Sequence, residues 1–320
     1  MRKLTLIILA IALVVFTAPS YGQFVKKGTV GLKFLDIGVG GRALALGEAY
    51  TAIANDASAI FWNPAGIGNI KNGDAFAGYT KWPADINLYS VAIAKRADLP
   101  LFGPSSIGFA GTILSTGLMN RTTEFDQDGV VSGTFPYEDF WFGVSYAKYL
   151  TDRFCFGSNF KYIHEQIDDF KANSWAVDIG SYYETGYKTI RIGLAILNFG
   201  PDIKFKVDGV EGKAVPLPLT FRAGVAMDVM QNEASKTTLV AELAHPSDNN
   251  ERYQFGGEYW FKEIIALRAG YKLNMDEGGL TAGAGFRVPF SSAASFSIDY
   301  AYNDWGTLQA VHRVSTSLSF

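Results

Sequence analysis

From residue 75 to the C-terminus the chain alternates, residue by residue, between large apolar side chains and small or polar ones. Val314, Thr316, Leu318 and Phe320 are interleaved with Arg313, Ser315, Ser317 and Ser319. Phe221, Ala223, Val225, Met227 and Val229 alternate with Arg222, Gly224, Ala226 and Asp228, and Ile265, Leu267, Ala269, Tyr271 and Leu273 with Ala266, Arg268, Gly270 and Lys272. Successive side chains of a strand point to opposite faces, so each segment has one greasy and one small or charged face. Fourteen such segments can be marked, near 75–81, 86–95, 106–114, 139–149, 154–164, 175–184, 188–198, 219–230, 237–244, 252–261, 264–273, 280–288, 294–302 and 311–320. Most run about 8–12 residues, close to the 9–11 or so of a tilted membrane strand.

Alternation alone fits a soluble sandwich as well as a membrane barrel; the content of the two faces separates them. A sandwich keeps charge outside and fills its core with aliphatic residues. Here the apolar face carries Tyr253, Phe255, Tyr259 and Phe261 on one segment and Phe296, Ile298 and Tyr300 on another. Lys161, Asp178, Arg191, Arg222, Asp228, Glu258, Arg268, Arg287, Asp299 and Arg313 share the parity of the small residues. Turning one of the basic groups toward mid-bilayer lipid would cost about 2–4 kcal/mol, so these charges are expected to face a lumen. An open sheet edge in hydrocarbon leaves backbone groups unpaired, which an even-stranded closed barrel avoids. The expected fold is therefore an all-β transmembrane antiparallel barrel of about fourteen strands, covering residues 74–320. Tyr79, Trp82, Tyr137, Phe140, Trp141 and Trp305, near strand ends, are expected as interfacial aromatics.

The first 22 residues read as a secretory signal peptide: Arg2 and Lys3, an apolar run from Leu4 to Ala18, and a small-residue exit before Gln23. That run is short for a membrane span. Removing Arg2 and Lys3 from the 28 basic residues leaves 26 against 31 acidic ones, a balance that gives no general reason to bind nucleic acid. Cys155 is the one cysteine, which excludes an intramolecular disulfide and a cysteine metal cluster.

Residues 23–73 do not alternate. Ala43, Leu46, Ala49, Tyr50 and Ile53 lie at helical spacing between Arg42 and Asn55, and Asn55-Asp56-Ala57-Ser58 reads as a stop followed by a new cap. A fourteen-stranded barrel is too wide for its own side chains to fill. This segment is expected to plug the lumen, the alternative being a small periplasmic cap. Gly38-Val39-Gly40-Gly41-Arg42-Ala43 matches a dinucleotide fingerprint but lacks the βαβ unit that gives it meaning. His164, His245 and His312 are far apart and have no metal-site spacing, and no Ser–His arrangement stands out. The acidic stretches 124–128 and 165–169 lack calcium-loop spacing and are expected as solvated loops. No cofactor, metal or catalytic residue is expected, and the chain is not expected to be an enzyme.

The run from Gly40 through Arg42, Leu44, Leu46, Glu48 and Tyr50 to Ala52, continued by Asn55 to Gly66 with Phe61-Trp62-Asn63-Pro64-Ala65-Gly66, resembles the N-terminal region of PorV/PorQ outer-membrane proteins. Pro218 to Val225 and His312 to Ser315 add weaker echoes. The family is similar to FadL-type fatty acid transporters, which implies a fourteen-stranded barrel with an N-terminal hatch. The resemblance implies a non-enzymatic part in type IX secretion or surface attachment of cargo, with secreted proteins or secretion components as partners. The alternative it implies is a FadL-like channel for fatty acids or other hydrophobic compounds, with Arg42, Leu44, Leu46, Tyr50, Phe61, Trp62, Asn63 and Pro64 as ligand-binding or plug residues. Either role places the chain among outer-membrane lipid of a Gram-negative-type bacterium. Residues 99–105, 115–138 and 199–218 are the longest expected loops.

Overall fold

The computed structural model describes residues 27–320 apart from 101–102, 130–131, 208–209, 276–277, 292–293 and 309. The expected signal peptide lies outside the described residues.

Strands β1 (Gly73–Lys81), β2 (Asn87–Leu99), β3 (Gly103–Asn120), β4 (Thr134–Thr151), β5 (Phe154–Ile167), β6 (Phe170–Glu184) and β7 (Arg191–Phe199) pair in sequence order. A two-residue hairpin follows, β8 (Lys206–Val207) and β9 (Val210–Glu211). Then come β10 (Thr220–Gln231), β11 (Ser235–Pro246), β12 (Arg252–Phe261), β13 (Ile265–Leu273), β14 (Leu280–Pro289), β15 (Ser295–Asn303) and β16 (Val311–Ser319). β7 pairs with β10, and β1 pairs with β16 from Asp74↔Ser319 to Lys81↔His312, so the fourteen strands other than β8 and β9 form a closed antiparallel barrel. Each expected segment corresponds to one of them.

Parity decides the two surfaces. On β13, Leu267 is 58% exposed on the outer wall while Arg268 is 4% exposed on the lumen side. The outer face is a continuous band of Val, Ile, Leu, Phe and Tyr, the surface that acyl chains would cover.

Strand lengths differ from expectation on one side. β3 and β4 have 18 residues each, and β5 and β6 14 and 15, against nine on β13, β15 and β16. Strand therefore takes up both ends of the expected 115–138 loop, 115–120 and 134–138, leaving 121–133 as its connection, and of 99–105 only 100–102 lie between strands. The alternation is broken there by Ser115-Thr116-Gly117 and a register shift between Ser115 and Leu118, which hides the strand from a periodicity reading. Connections where β1 begins and β16 stops are short, such as 152–153 and 232–234, whereas the opposite end carries 121–133 and 200–219. Outer-membrane barrels put their longer connections outside, so the second end is termed the outward mouth.

The core of the molecule is inside the barrel. Leu44, Leu46, Tyr50, Ile60 and Ile67 are completely buried against the inner wall. The expected helix over 42–55 is not formed. The one α-helix among the described residues, α1, covers Gly41–Ala45, and 3₁₀ turns follow at Ala57–Phe61 and Pro64–Asn69. The physical reason is the pair Gly47 and Glu48, at φ 66° and 68°, which ends the helix in left-handed geometry and swings Glu48 toward the wall. Apolar residues at helical spacing here serve a winding segment enclosed on all sides.

Candidate functional site: a hatch stitched to the barrel wall

Residues 41–66 run along the inner wall and are joined to it by wall side chains at nearly every step. At the helix start, Gly41 N–H donates to Ser315 Oγ at 2.9 Å, and at its end Thr281 Oγ1 donates to Ala45 O at 3.1 Å. Arg42 reaches across the lumen as a fork: its Nε and Nη2 donate to the two oxygens of Glu258 at 2.8 and 2.9 Å, and its Nη1 to Asn55 Oδ1 at 2.8 Å. Glu258 also accepts from Arg268 Nε at 2.7 Å, and Arg268 Nη1 donates to Asp299 Oδ1 at 2.6 Å. One buried carboxylate therefore joins a hatch arginine to a wall arginine. Trp260 completes the group, with the guanidinium groups of Arg287 and Arg268 lying 4.4 and 5.3 Å from its ring centroid.

Glu48 anchors the next turn. Its carboxylate accepts from Lys272 Nζ at 3.0 Å, and its backbone carbonyl from Arg222 Nη2 at 2.7 Å. Lys272 is 3% exposed, so Glu48→Gln, which removes the charge facing its ammonium group, is expected to lower stability by about 3 kcal/mol, read from melting midpoints in detergent. An unchanged midpoint would disprove the assignment.

Thr51 is held by Glu242, which accepts from the Thr51 backbone N–H and from its Oγ1, both at 2.8 Å, while Arg222 Nε pairs with the same carboxylate at 2.6 Å. The Arg222 guanidinium also lies 4.8 Å from the Trp62 ring centroid, and Trp62 Nε1 donates to Val39 O at 3.0 Å. Ala57 N–H donates to Asp74 Oδ1 at 2.9 Å.

Asn63 and Pro64 make the corner. The Asn63 side-chain oxygen accepts from Ala65 N–H at 3.1 Å, capping the 3₁₀ turn that proline opens, and its Nδ2 donates to Thr51 O and to Ser181 O on the wall at 2.9 and 3.0 Å. A residue without a side-chain amide would leave a buried carbonyl unpaired at this point. Phe61 packs edge-on against Trp141, ring centroids 5.6 Å apart.

The wall makes room for this path with glycine. Gly157, Gly180, Gly193, Gly224, Gly256, Gly270 and Gly283, on seven different strands, each face hatch atoms between Ala45 and Ala65. A Cβ at Gly256 would lie 2.6 Å from Leu46 O, and one at Gly157 2.6 Å from Ala65 Cα.

The remaining lumen charges fall in separate groups. Lys161 and Asp178 pair at 2.8 Å beside a bulge in β7, where Asn198 N–H donates to Asp178 at 2.7 Å. Arg191, Lys236 and Asp228 pair near the opposite end, at 2.7 and 3.2 Å. Arg313 is buried with no hydrogen-bond partner on its guanidinium among the described residues, and lies 5.2 Å from the Trp82 ring centroid beneath the Trp82–Trp305 contact. Of the residues named from sequence, Arg42 meets Glu258, Arg268 and Asp299 in one network, with Tyr50 3.4 Å from Arg42 Nη1. Leu44 and Leu46 are packing residues, and Lys161 and Asp178 lie apart.

Two expectations are corrected. Trp141 is not interfacial: it is 6% exposed, faces the lumen and has Lys161 Nζ 5.3 Å from its ring centroid. Glu165 is not a solvated loop charge, because β5 extends through Ile167 and places it buried, directly opposite Asp139 of β4. Sequence reading did not single out Glu48, Glu242, Lys272 or the seven wall glycines. Glu242 and Lys272 could have been found by carrying the parity rule through their strands; Glu48 carried no such signal.

Residues 23–246 match the family model described as Type IX secretion system protein PorV. The chain belongs to the PorV family. No curated protein matches it significantly in sequence. Among solved structures, this PorV-family chain is similar in fold to the CymD monoaromatic hydrocarbon channel, with a TM-score of 0.55 and 13% identity over 88% of this chain and 97% of that one. The Ralstonia pickettii toluene transporter TbuX gives 0.53 and 13%, and a Pseudomonas aeruginosa FadL homologue 0.53 and 11%, each over 88% of this chain and 97% of the other. At such identities the likeness concerns the barrel and its FadL-like architecture. It leaves the lumen chemistry of the PorV-family chain to be read from its own residues.

Proposed function

We propose that this PorV-family protein acts in type IX secretion or cargo attachment at the cell surface as a closed, non-enzymatic outer-membrane barrel. The observation that carries the reading is the filled lumen. Residues 41–66 are fixed to the wall by buried ion pairs and by backbone packed on glycine, an arrangement suited to a permanent plug. The spaces that remain are polar. A cavity of about 60 Å³ has Phe34, Phe61 and Trp62 on its walls but also Glu48, Lys161, Asp178 and Arg222. Another of about 460 Å³, at the inward end, is lined by Arg42, Asn55, Asp74, Arg287 and several serines. A hydrophobic solute crossing the lumen would have to desolvate those charges. A sealed barrel leaves the outer wall and the outward mouth as the surfaces that meet secreted proteins and secretion components.

Deletion of the gene in its native host tests this. Exported proteins bearing the family's C-terminal signal domain should fail to reach the surface and be restored by the intact gene; unchanged surface delivery would reject the role. The second reading, transport of fatty acids or other hydrophobic compounds, is supported by the barrel's likeness to hydrocarbon channels. It requires vesicles carrying the purified protein to take up labelled toluene or fatty acid faster than empty vesicles, and equal rates would remove it.

A further inference from the structure

We infer that the N-terminal segment threads the barrel from one face to the other, so that residues 27–29 stand on the cell exterior as a site open to proteins and reagents there. The inward end of the segment is fixed by the chain itself: Gly73 opens β1 and exchanges two backbone hydrogen bonds with Phe320, both at 2.9 Å. Just before it, Gly68 packs on Cys155, in the second residue of β5, which also starts at that face.

The other end is at the outward mouth. Gly31 N–H donates to Pro216 O at 3.0 Å, within the 200–219 connection. Lys33 Nζ pairs with Asp248 at 2.8 Å, in the β11–β12 connection on the same side. Ile203 and Leu217 of the 200–219 connection are buried in a cluster with Leu32 and Phe34, and the bridge between Ile203 and Val215 closes that connection into a strap over residues 31–34. Lys27, Gly28 and Thr29 lie beyond the strap and are exposed. Some forty residues therefore cross the lumen between Gly31 and Gly73 and are gripped at both faces. The inference uses the assignment of the loop-bearing end as outward and does not depend on the secretion role.

The sequence offers a clean assay, because its one cysteine, Cys155, is buried and gives its Sγ–H to Ala65 O at 3.3 Å. Thr29→Cys is placed in the full-length chain, with Phe125→Cys in the 121–133 connection marking the outward side and Glu233→Cys in the β10–β11 turn marking the inward side. Intact cells are treated with a membrane-impermeant maleimide, then again after the outer membrane is permeabilised. Thr29→Cys should label in intact cells to the same extent as Phe125→Cys, with Glu233→Cys labelling at least tenfold more after permeabilisation. Gly28→Cys, where an added Cβ meets nothing within 4 Å, should behave as Thr29→Cys does. Labelling of residues 28 and 29 that follows Glu233→Cys, or no labelling of either while Phe125→Cys reacts, overturns the threading. Labelling of Glu233→Cys and not Phe125→Cys in intact cells overturns the exterior placement.

Discussion

Glu258→Ala is expected to unseat the hatch and turn a sealed barrel into a leaky one. The wild-type carboxylate is 3% exposed and accepts from two guanidinium groups, one on the hatch and one on the wall. Removing it takes a charged partner from each, and Arg42 loses more. Arg268 keeps Asp299, but Arg42 retains Asn55 and a 3.8 Å approach to Asp56, with no carboxylate in fork geometry. Breaking a buried pair by removing one partner costs about 3–5 kcal/mol, because the other charge remains out of water. Here the cheapest relief is for Arg42 to move toward the inward cavity that it already lines, drawing α1 from the wall. Planar bilayers should show conductance steps with Glu258→Ala and none with the parent, together with a lower melting midpoint in detergent. Glu258→Gln, which keeps the shape and loses the charge, should fall between the two. A variant as closed and as stable as the parent would refute the role given to this carboxylate.

The barrel was legible because membrane strands impose period two on the sequence and lipid forbids charge on one of the two faces. Arg268 and Lys272 sit one parity away from Leu267 and Tyr271, and that offset alone tells which side each occupies. The alternation weakens where the constraint does. β3 beyond Ser115 and β4 before Asp139 extend at the outward end, and their residues no longer alternate cleanly; those spans read as loop. The hatch is less legible still. Its conformation is set by contact with the wall, so a helical pattern from Arg42 to Asn55 yields one short helix, ended where Gly47 and Glu48 turn left-handed to meet Gly270, Lys272 and Arg222. Pairings such as Thr51 with Glu242 join residues far apart in the chain, and no local pattern announces them. The motif Asn63-Pro64-Ala65 is an exception, since capping and proline geometry act within three residues.

Two neighbouring glycines on β12 allow the clamping of the hatch to be tested apart from any charge. Gly256 faces the lumen and Gly257 the outer surface, so the same substitution on one strand, one residue apart, meets opposite surroundings. A Cβ at Gly256 would lie 2.6 Å from the carbonyl oxygen of Leu46 and 3.1 Å from its carbonyl carbon. These are backbone atoms of a segment held on both sides by Ala45 and Glu48, so the segment cannot yield by a rotamer change. At Gly257 the nearest atom is Leu239 Cδ2 at 3.5 Å, an ordinary contact with a side chain that can turn. Gly256→Val should therefore cost several kcal/mol, at or above the roughly 1–3 kcal/mol of overpacking, and should expose the hatch to protease added to detergent-solubilised protein. Gly257→Val should leave both properties unchanged, because a β-branched residue suits a strand and an apolar one suits lipid. Equal tolerance at both positions would mean that the hatch is loosely seated, and would return a mobile plug, and with it passage through the lumen, to consideration. If Gly256→Val opens the barrel and Gly257→Val does not, the small residues on the lumen face are there to seat the hatch backbone, which explains why that face carries glycine where the outer face carries aromatics.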